Sequence, residues 1–206
     1  MKNYTPSKNI LENYAKVLVK FAARQGKGIK KGDVVLIVCP ESAKPLFVEL
    51  RKAIFKAGGH VINQYMPDNS DRYNLSKDFY KNASKDQLEF FPSKFYKGLI
   101  DQVDHQIMII SEAHKSPLRG VDPEKIMASS KAMKPYLDWR QEKEGNGKFS
   151  WTIALYGTEA MAKEAGLSSK DYWGQIIKAC FLSKKDPIAE WKNTYNYDLI
   201  YNNNKI

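Results

Sequence analysis

The sequence predicts an α/β fold, a three-layer α/β/α domain with a mostly parallel sheet of about four strands, followed by a C-terminal helical arm. The first observation is a continuous apolar run at residues 34–39, Val-Val-Leu-Ile-Val-Cys. An unbroken run of this length is typical of a strand buried on both faces. The second is that helical patterns flank this run and alternate with three further apolar runs, which indicates a parallel sheet covered by helices.

The first helix is predicted from an apolar stripe at helical spacing between Ile10 and Phe21, with Ser7 in a position to cap it. A second helix is predicted at residues 43–57, where Gly58 and Gly59 stop it because glycine tolerates a left-handed backbone. The predicted strands are residues 34–39, 61–65, 105–110 and 151–156. We expect their central apolar residues to be buried, including Leu36, Ile107, Ile109 and Ile153.

Two sequence signals for the start of a helix lie in the middle part of the chain. Ser84 followed by Gln87 predicts a capping box and a short helix. Asp122 and Pro123 are suited to the first positions of a helix that we predict to continue to about Lys143. After the last predicted strand the pattern is helical. We therefore divide the chain into an α/β N-terminal domain at residues 1–158 and a helical extension at residues 159–206.

The composition argues against several classes of protein. The net charge is +10, but the 33 basic residues are dispersed over helix faces, so we expect no specific nucleic-acid binding. No apolar run approaches the roughly 20 residues of a membrane span, so we expect no membrane partner. The N-terminus lacks an apolar signal core, and Cys39 and Cys180 have no metal-binding spacing. These features predict a cytoplasmic protein with reduced thiols.

Candidate site residues come from the carboxyl ends of the predicted strands, where parallel sheets bind ligands. The segments there are residues 41–42, 66–68, 111–112 and 157–159, and none of them carries a phosphate-loop or dinucleotide motif. His114 lies close to Glu112 in the sequence, so a metal pair is conceivable, although two ligands from one loop do not complete a metal site. The substrate-cleft candidates are Glu41, Ser42, Glu112, His114 and Thr158.

A set of short motifs extends over nearly the whole chain and resembles one enzyme family. The motifs are residues 11–15 (LENYA), 30–37 (KKGDVVLI), 56–59 (KAGG), 87–92 (QLEFFP), 120–125 (GVDPEK), 156–158 (YGT) and 177–180 (IKAC), with Asp186, Pro187 and Trp191. In this order and spacing they resemble the N-terminal domain of the thermophilic-type metalloaminopeptidases, the family of aminopeptidase T and aminopeptidase S.

The resemblance implies a peptide-hydrolysing enzyme that works as a cytoplasmic homodimer. It implies two divalent metal ions, zinc or cobalt, held in a C-terminal domain by two Glu, one His and a His-x-Asp pair. Nothing in this chain matches those ligands, so we assign it no catalytic residue and no metal ligand. We expect this chain alone to be inactive and to bind no metal ion, with residues 159–206 leading towards a catalytic domain outside the chain.

The function expected from the resemblance is that of the N-terminal domain of a metal-dependent aminopeptidase, which hydrolyses N-terminal residues from peptides. One alternative is a free-standing, non-catalytic α/β binding module that keeps the scaffold without the chemistry. Another is a basic nucleic-acid-binding domain, whose affinity would fall steeply with salt.

Overall fold

A computed structural model describes residues 4–24 and 26–194 of the chain. Four parallel strands form one sheet in the order β2-β1-β3-β4. Helices cover both faces of this sheet, which confirms the predicted three-layer α/β/α class. The strands are β1 (Val34–Pro40), β2 (His60–Met66), β3 (His105–Ile110) and β4 (Ser150–Leu155).

The helices follow the predicted start signals closely. Ser7 caps α1, and the reciprocal capping box of Ser84 and Gln87 is present. The last turn of the first helix is π-helical at Leu18–Ala22, and a 3₁₀ turn at Glu41–Ala43 follows β1. The α-helices are α1 (Lys8–Val17), α2 (Lys44–Lys56), α3 (Leu75–Asn82), α4 (Lys85–Leu88), α5 (Ser93–Gln102), α6 (Pro123–Ala132), α7 (Lys134–Gly145), α8 (Glu159–Glu164) and α9 (Ser169–Ala179), with further helical residues at 187–194.

The two faces of the sheet are covered to different extents. One face packs against α1, α2 and α9 in a large core that includes Ile37, Leu50 and Trp173. The other face packs against α5 in a smaller core built around Leu36 and Val103. Because successive residues of a strand point to opposite faces, both sides of β1 are buried, as the unbroken apolar run predicts.

The prediction that Ile153 is buried is wrong, since 47% of its surface is exposed. Ile153 lies on the edge strand β4, on the face where α5 packs. The smaller core on that face contains no residue of β4. An apolar side chain on an edge strand is buried only if a helix extends over it, and strand periodicity alone carries no information about that.

The single long helix predicted from Asp122 to about Lys143 is also wrong, because the structure divides it into α6 and α7. The break falls at Met133, directly before α7, and Pro135 lies in the first turn of α7. Proline has no N–H to donate and its ring clashes with the preceding turn, so it is accommodated at a helix start but not in a helix interior.

The C-terminal helical arm packs against the first face of the sheet. Trp173 of α9 is buried, lies edge-to-face with Tyr156 at 4.9 Å between ring centroids, and donates its indole N–H to Gly157 O at 3.0 Å. Asn13 of α1 donates to Leu182 O at 2.9 Å. The arm therefore shares its core with α1 and the sheet, while the division of the chain at residue 158 stays a prediction.

None of the helices in the described ranges has the length and apolar character needed to cross a bilayer.

Candidate functional site

The strand order places a topological switch point between β1 and β3. From β1 the chain crosses to β2 on one side, whereas β3 and β4 lie on the other side. In open parallel sheets the segments that leave the strands at such a point diverge and open a crevice at the carboxyl ends. Ser42 follows β1 and Ser111 follows β3, so both residues lie at this point.

Ser42 connects the segments that follow three strands. Its Oγ lies 2.7 Å from Ser111 Oγ and 3.3 Å from Asp68 Oδ1, and Asp68 follows β2. A carboxylate accepts hydrogen bonds, so Ser42 is the donor in its contact with Asp68, whereas either hydroxyl can be the donor between Ser42 and Ser111. The chain of hydroxyls therefore orients one carboxylate at the mouth of the switch point.

The pKa of Asp68 is raised above the usual aspartate value. Partial burial is the largest cause, because it penalises the ionised form, and the nearby charge of Glu41 adds to it. The hydrogen bonds from Ser42 act in the opposite direction by stabilising the carboxylate. Asp68 therefore takes up a proton more readily than a free aspartate does.

The remaining sequence candidates are only partly brought together. Thr158 donates its hydroxyl to Glu112 O, and it also caps α8 by accepting from Met161 N at 3.2 Å. Glu112 and Glu41 have exposed side chains. His114 Nε2 lies 2.8 Å from Asp71 Oδ1, so the described partner of the imidazole is Asp71, a residue that the sequence analysis did not select.

A metal ion of the kind that the family resemblance implies does not fit the donors at this site. Within residues 4–24 and 26–194, no three His, Cys, Asp or Glu side chains are grouped closely enough to hold a metal ion. Zinc sites use three or four such ligands. We therefore assign no catalytic step to a metal ion held by the described residues.

Two adjoining cavities occupy the carboxyl end of the sheet, and we call them together the carboxyl-end cleft. The smaller cavity, of about 510 Å³, is lined by Asp68, Ser111, Glu112 and several apolar side chains. The larger cavity, of about 900 Å³, is lined mainly by residues that follow β2, β3 and β4, and many of them are basic. His114 lines both cavities, as do Ala113, Ser116 and Pro117 of the same loop.

A cavity of about 820 Å³ lies at the opposite, amino end of the sheet, where Asp33, His105 and Ser150 meet. His105 Nε2 lies 2.9 Å from Asp33 Oδ2, and its Nδ1 lies 2.8 Å from Ser150 Oγ. These are the residue types of a serine-hydrolase triad, but the two ring nitrogens are exchanged relative to that arrangement. Arg24 N donates to Ser150 Oγ at 3.1 Å and Lys30 N donates to Asp33 at 2.7 Å. The polar groups of this network have hydrogen-bond partners and are largely buried, so we interpret the network as structural.

Sequence reasoning missed several residues of the carboxyl-end cleft. Asp68 and Ser111 belong to the segments that were predicted to follow the strands. They were missed because other residues were selected from those segments as candidates. The pairing of His114 with Asp71 joins residues 43 positions apart in two loops, for which the sequence carries no signal. The sequence does not distinguish the basic residues of the larger cavity from the lysines that are dispersed over helix surfaces elsewhere in the chain.

Comparison with known proteins places the chain in a family. The family model described as thermophilic metalloprotease (M29) matches residues 7–198. Aminopeptidase PepS of Streptococcus thermophilus is 26% identical over 201 residues, which cover 90% of this chain and 45% of PepS. Aminopeptidase AmpS of Bacillus subtilis (strain 168) is 22% identical over 191 residues, covering 89% of this chain and 45% of AmpS.

A solved structure supports the same fold. Wild-type AmpT from Thermus thermophilus matches with a TM-score of 0.66 at 19% identity, and the match covers 90% of this chain and 45% of AmpT. The chain thus spans slightly less than half the length of the relatives it matches, and it corresponds to their N-terminal part. The fold, the ordered motifs and the family match over residues 7–198 together show that this chain belongs to the thermophilic metalloprotease (M29) family.

Proposed function

We propose that this chain is the N-terminal domain of a metal-dependent aminopeptidase that hydrolyses N-terminal residues from peptides. The observation that carries the proposal is the family match over residues 7–198, together with two relatives named as aminopeptidases. The activity is a property of the longer proteins. For this chain it depends on a second domain that supplies the reacting groups.

In this proposal the chain binds and orients peptide, and the metal chemistry takes place elsewhere. The description of the family as a metalloprotease supports a requirement for metal ions, which we propose to be two zinc or cobalt ions. When bound, such ions polarise the scissile carbonyl and activate water. The described part of this chain offers no matching donor cluster, so we propose that the metal ligands lie outside it.

The carboxyl-end cleft is the part of this chain that we propose to face the substrate. It contains or borders the candidates Glu41, Ser42, Glu112, His114 and Thr158. Its position at the topological switch point is the usual ligand position of open parallel sheets. We further propose that the protein works in the cytoplasm as a homodimer, as the family resemblance implies.

The two alternative functions receive less support. A non-catalytic binding module would use the same scaffold, but both relatives are named as aminopeptidases. Nucleic-acid binding would be favoured by a continuous basic face, and the family match gives no reason to expect one.

The proposal is tested by comparing residues 1–206 with the product of the complete natural reading frame that contains them. Both proteins are assayed with a chromogenic amino-acid anilide, and their metal content is measured by elemental analysis. We expect the complete product to hydrolyse the anilide, to lose this activity after chelation, and to recover it when zinc or cobalt is added. Residues 1–206 alone should show neither hydrolysis nor stoichiometric metal.

Two outcomes would contradict the proposal. A reading frame that ends at Ile206, with no hydrolysis by its product, would favour the non-catalytic binding module. Hydrolysis by residues 1–206 after uptake of metal would place the active site within this chain, and Glu112 with His114 would then be the first ligands to test.

A further inference from the structure

The larger cavity of the carboxyl-end cleft collects positive charge from three separate segments. Lys77 comes from α3, Arg119 from the loop after β3, and Lys163 from α8, and all three line the same cavity of about 900 Å³. These segments follow three different strands of the sheet. The tertiary structure therefore gathers charges that are far apart along the chain, and we call this group the cationic triplet.

The side chains of the cationic triplet are not paired with a carboxylate among the residues that the structure describes. No side-chain hydrogen bond or ion pair joins Lys77, Arg119 or Lys163 to any residue that the structure describes. Of the other charged groups that line this cavity, Lys115 contacts Glu164 at 3.4 Å. The carboxylate of Asp71 contacts His114 at 2.8 Å and lowers the net positive charge of the cavity without pairing with the triplet. Three like charges around one concave space repel one another and attract an anion.

His114 provides a second feature that points to a ligand. Its Nδ1 is buried and has no hydrogen-bond partner among the described residues. The contact with the carboxylate of Asp71 occupies Nε2, so Nδ1 is the ring nitrogen that is left without a described partner. A buried polar atom without a partner is uncommon, and an absent ligand group or water is an ordinary explanation. His114 lies where the two cavities meet.

The adjoining smaller cavity limits the class of ligand. Pro40, Met66, Leu75 and Pro117 contribute apolar lining there. A ligand that occupies both cavities therefore needs an apolar portion next to a compact anionic group. A short peptide with an apolar side chain and a free C-terminal carboxylate has both parts, whereas a bare inorganic anion has only one.

We propose that Lys77, Arg119 and Lys163 form a subsite for the free α-carboxylate of a short peptide, with the neighbouring side chain of the peptide in the smaller cavity. This inference rests on the proposed function, because it makes the carboxyl-end cleft a site for peptide substrate. Charge-assisted hydrogen bonds from arginine and lysine are the usual means of recognising a carboxylate.

The test measures binding and requires no catalysis. The probe is the tripeptide leucyl-glycyl-leucine, as the free acid and as the C-terminal amide, titrated into the 206-residue chain at low ionic strength by calorimetry or NMR. The cationic triplet is removed in Lys77→Ala/Arg119→Ala/Lys163→Ala. The matched control is Lys20→Ala/Lys56→Ala/Lys178→Ala, which removes the same charge from exposed residues that do not line the cavity.

We expect the free acid to bind at least about tenfold more tightly than the amide, since a charged hydrogen bond accounts for at least that ratio. The triplet variant should bind the acid as weakly as the wild type binds the amide, and the control variant should bind like the wild type. Equal binding of acid and amide, equal loss in both variants, or no peptide binding by the wild type would overturn the inference. Inorganic phosphate that binds where the peptide does not would reassign the cavity to a phosphate-bearing ligand.

This binding result is distinguishable from the outcome for the proposed function. An active, metal-dependent aminopeptidase whose N-terminal domain shows no preference for the free acid would contradict the carboxylate subsite alone. Acid-selective binding by a protein whose complete reading frame lacks aminopeptidase activity would contradict the proposed function, and it would leave a carboxylate-binding module.

Discussion

At the amino end of the sheet, His105 and Asp33 are 6% and 4% exposed, and both ring nitrogens of His105 have partners. At the carboxyl end, His114 also pairs with an aspartate, but the side chain of Asp71 is fully exposed and one ring nitrogen of His114 has no described partner. The same pair of residue types therefore closes a structural network at one end and lines an open cleft at the other.

The difference shows how burial decides what a polar group contributes. A hydrogen-bonded pair removed from water becomes costly to break, because the group left behind is neither solvated nor paired. A pair at the surface exchanges freely with water and contributes little to stability. Groups at the carboxyl end therefore remain available to a ligand, whereas those at the amino end hold β1, β3 and β4 together.

The prediction with the largest expected effect concerns the sheet, whose amino and carboxyl ends are compared above. Leu36→Asp places an unpaired charge in the smaller core, and we expect it to abolish cooperative folding because burying such a charge costs several kcal/mol. Ile153→Asp is the matched control on an exposed edge position. Urea denaturation followed by circular dichroism measures both variants, and a cooperatively folded Leu36→Asp protein would refute two-sided burial of β1.

The second prediction compares the two histidines directly. His105→Ala should lower the free energy of unfolding by about 2–4 kcal/mol, because it leaves Asp33 buried without its side-chain partner. His114→Ala should leave the urea midpoint unchanged within error, since water solvates Asp71. Similar losses of stability in the two variants would remove the distinction drawn between the two ends.

A smaller effect is expected at the switch point. Ser42→Ala removes the hydrogen bonds to Ser111 and Asp68 and should cost about 1 kcal/mol. Ser93→Ala, at an exposed position whose hydroxyl has no described partner, serves as the control. Thermal unfolding of both variants measures the difference. A cost above that of His105→Ala would mean that the carboxyl end is the more important structural network.

The smallest expected effect is the contribution of Asp68 to the pH dependence of folding stability. Because the pKa of Asp68 is raised above its usual 3.8 in the folded protein, protonation favours the folded state, and this stabilisation is lost as the pH rises through the raised value. Asp68→Asn does not titrate, so its stability relative to the wild type should increase from below pH 3.8 to neutral pH. The change should stay within about 0.5 kcal/mol because solvent screens a partly exposed carboxyl.

Denaturation curves of the wild type and Asp68→Asn at a series of pH values measure this difference. A relative stability that decreases towards neutral pH would mean that the bonds from Ser42 outweigh the burial of Asp68.

The predictable part of the candidate site was its position. Glu41, Ser42, Glu112 and Thr158 follow strands, and the carboxyl ends of parallel strands meet at one edge, so their neighbourhood follows from the strand assignment. The partners were not predictable. Asp71 and His114, or Lys77 and Lys163, meet through loop conformations and helix placements that no local pattern encodes.

By itself the sequence determined the strands, most helix boundaries, the burial of β1 and the family. These depend on local periodicity, capping residues and ordered motifs, which act over a few neighbouring residues. Tertiary structure alone decided that Ile153 is exposed, that His105 closes a buried network, and that three cations surround one cavity. Those outcomes depend on which surfaces cover one another, and that is set by the packing of elements distant in the chain.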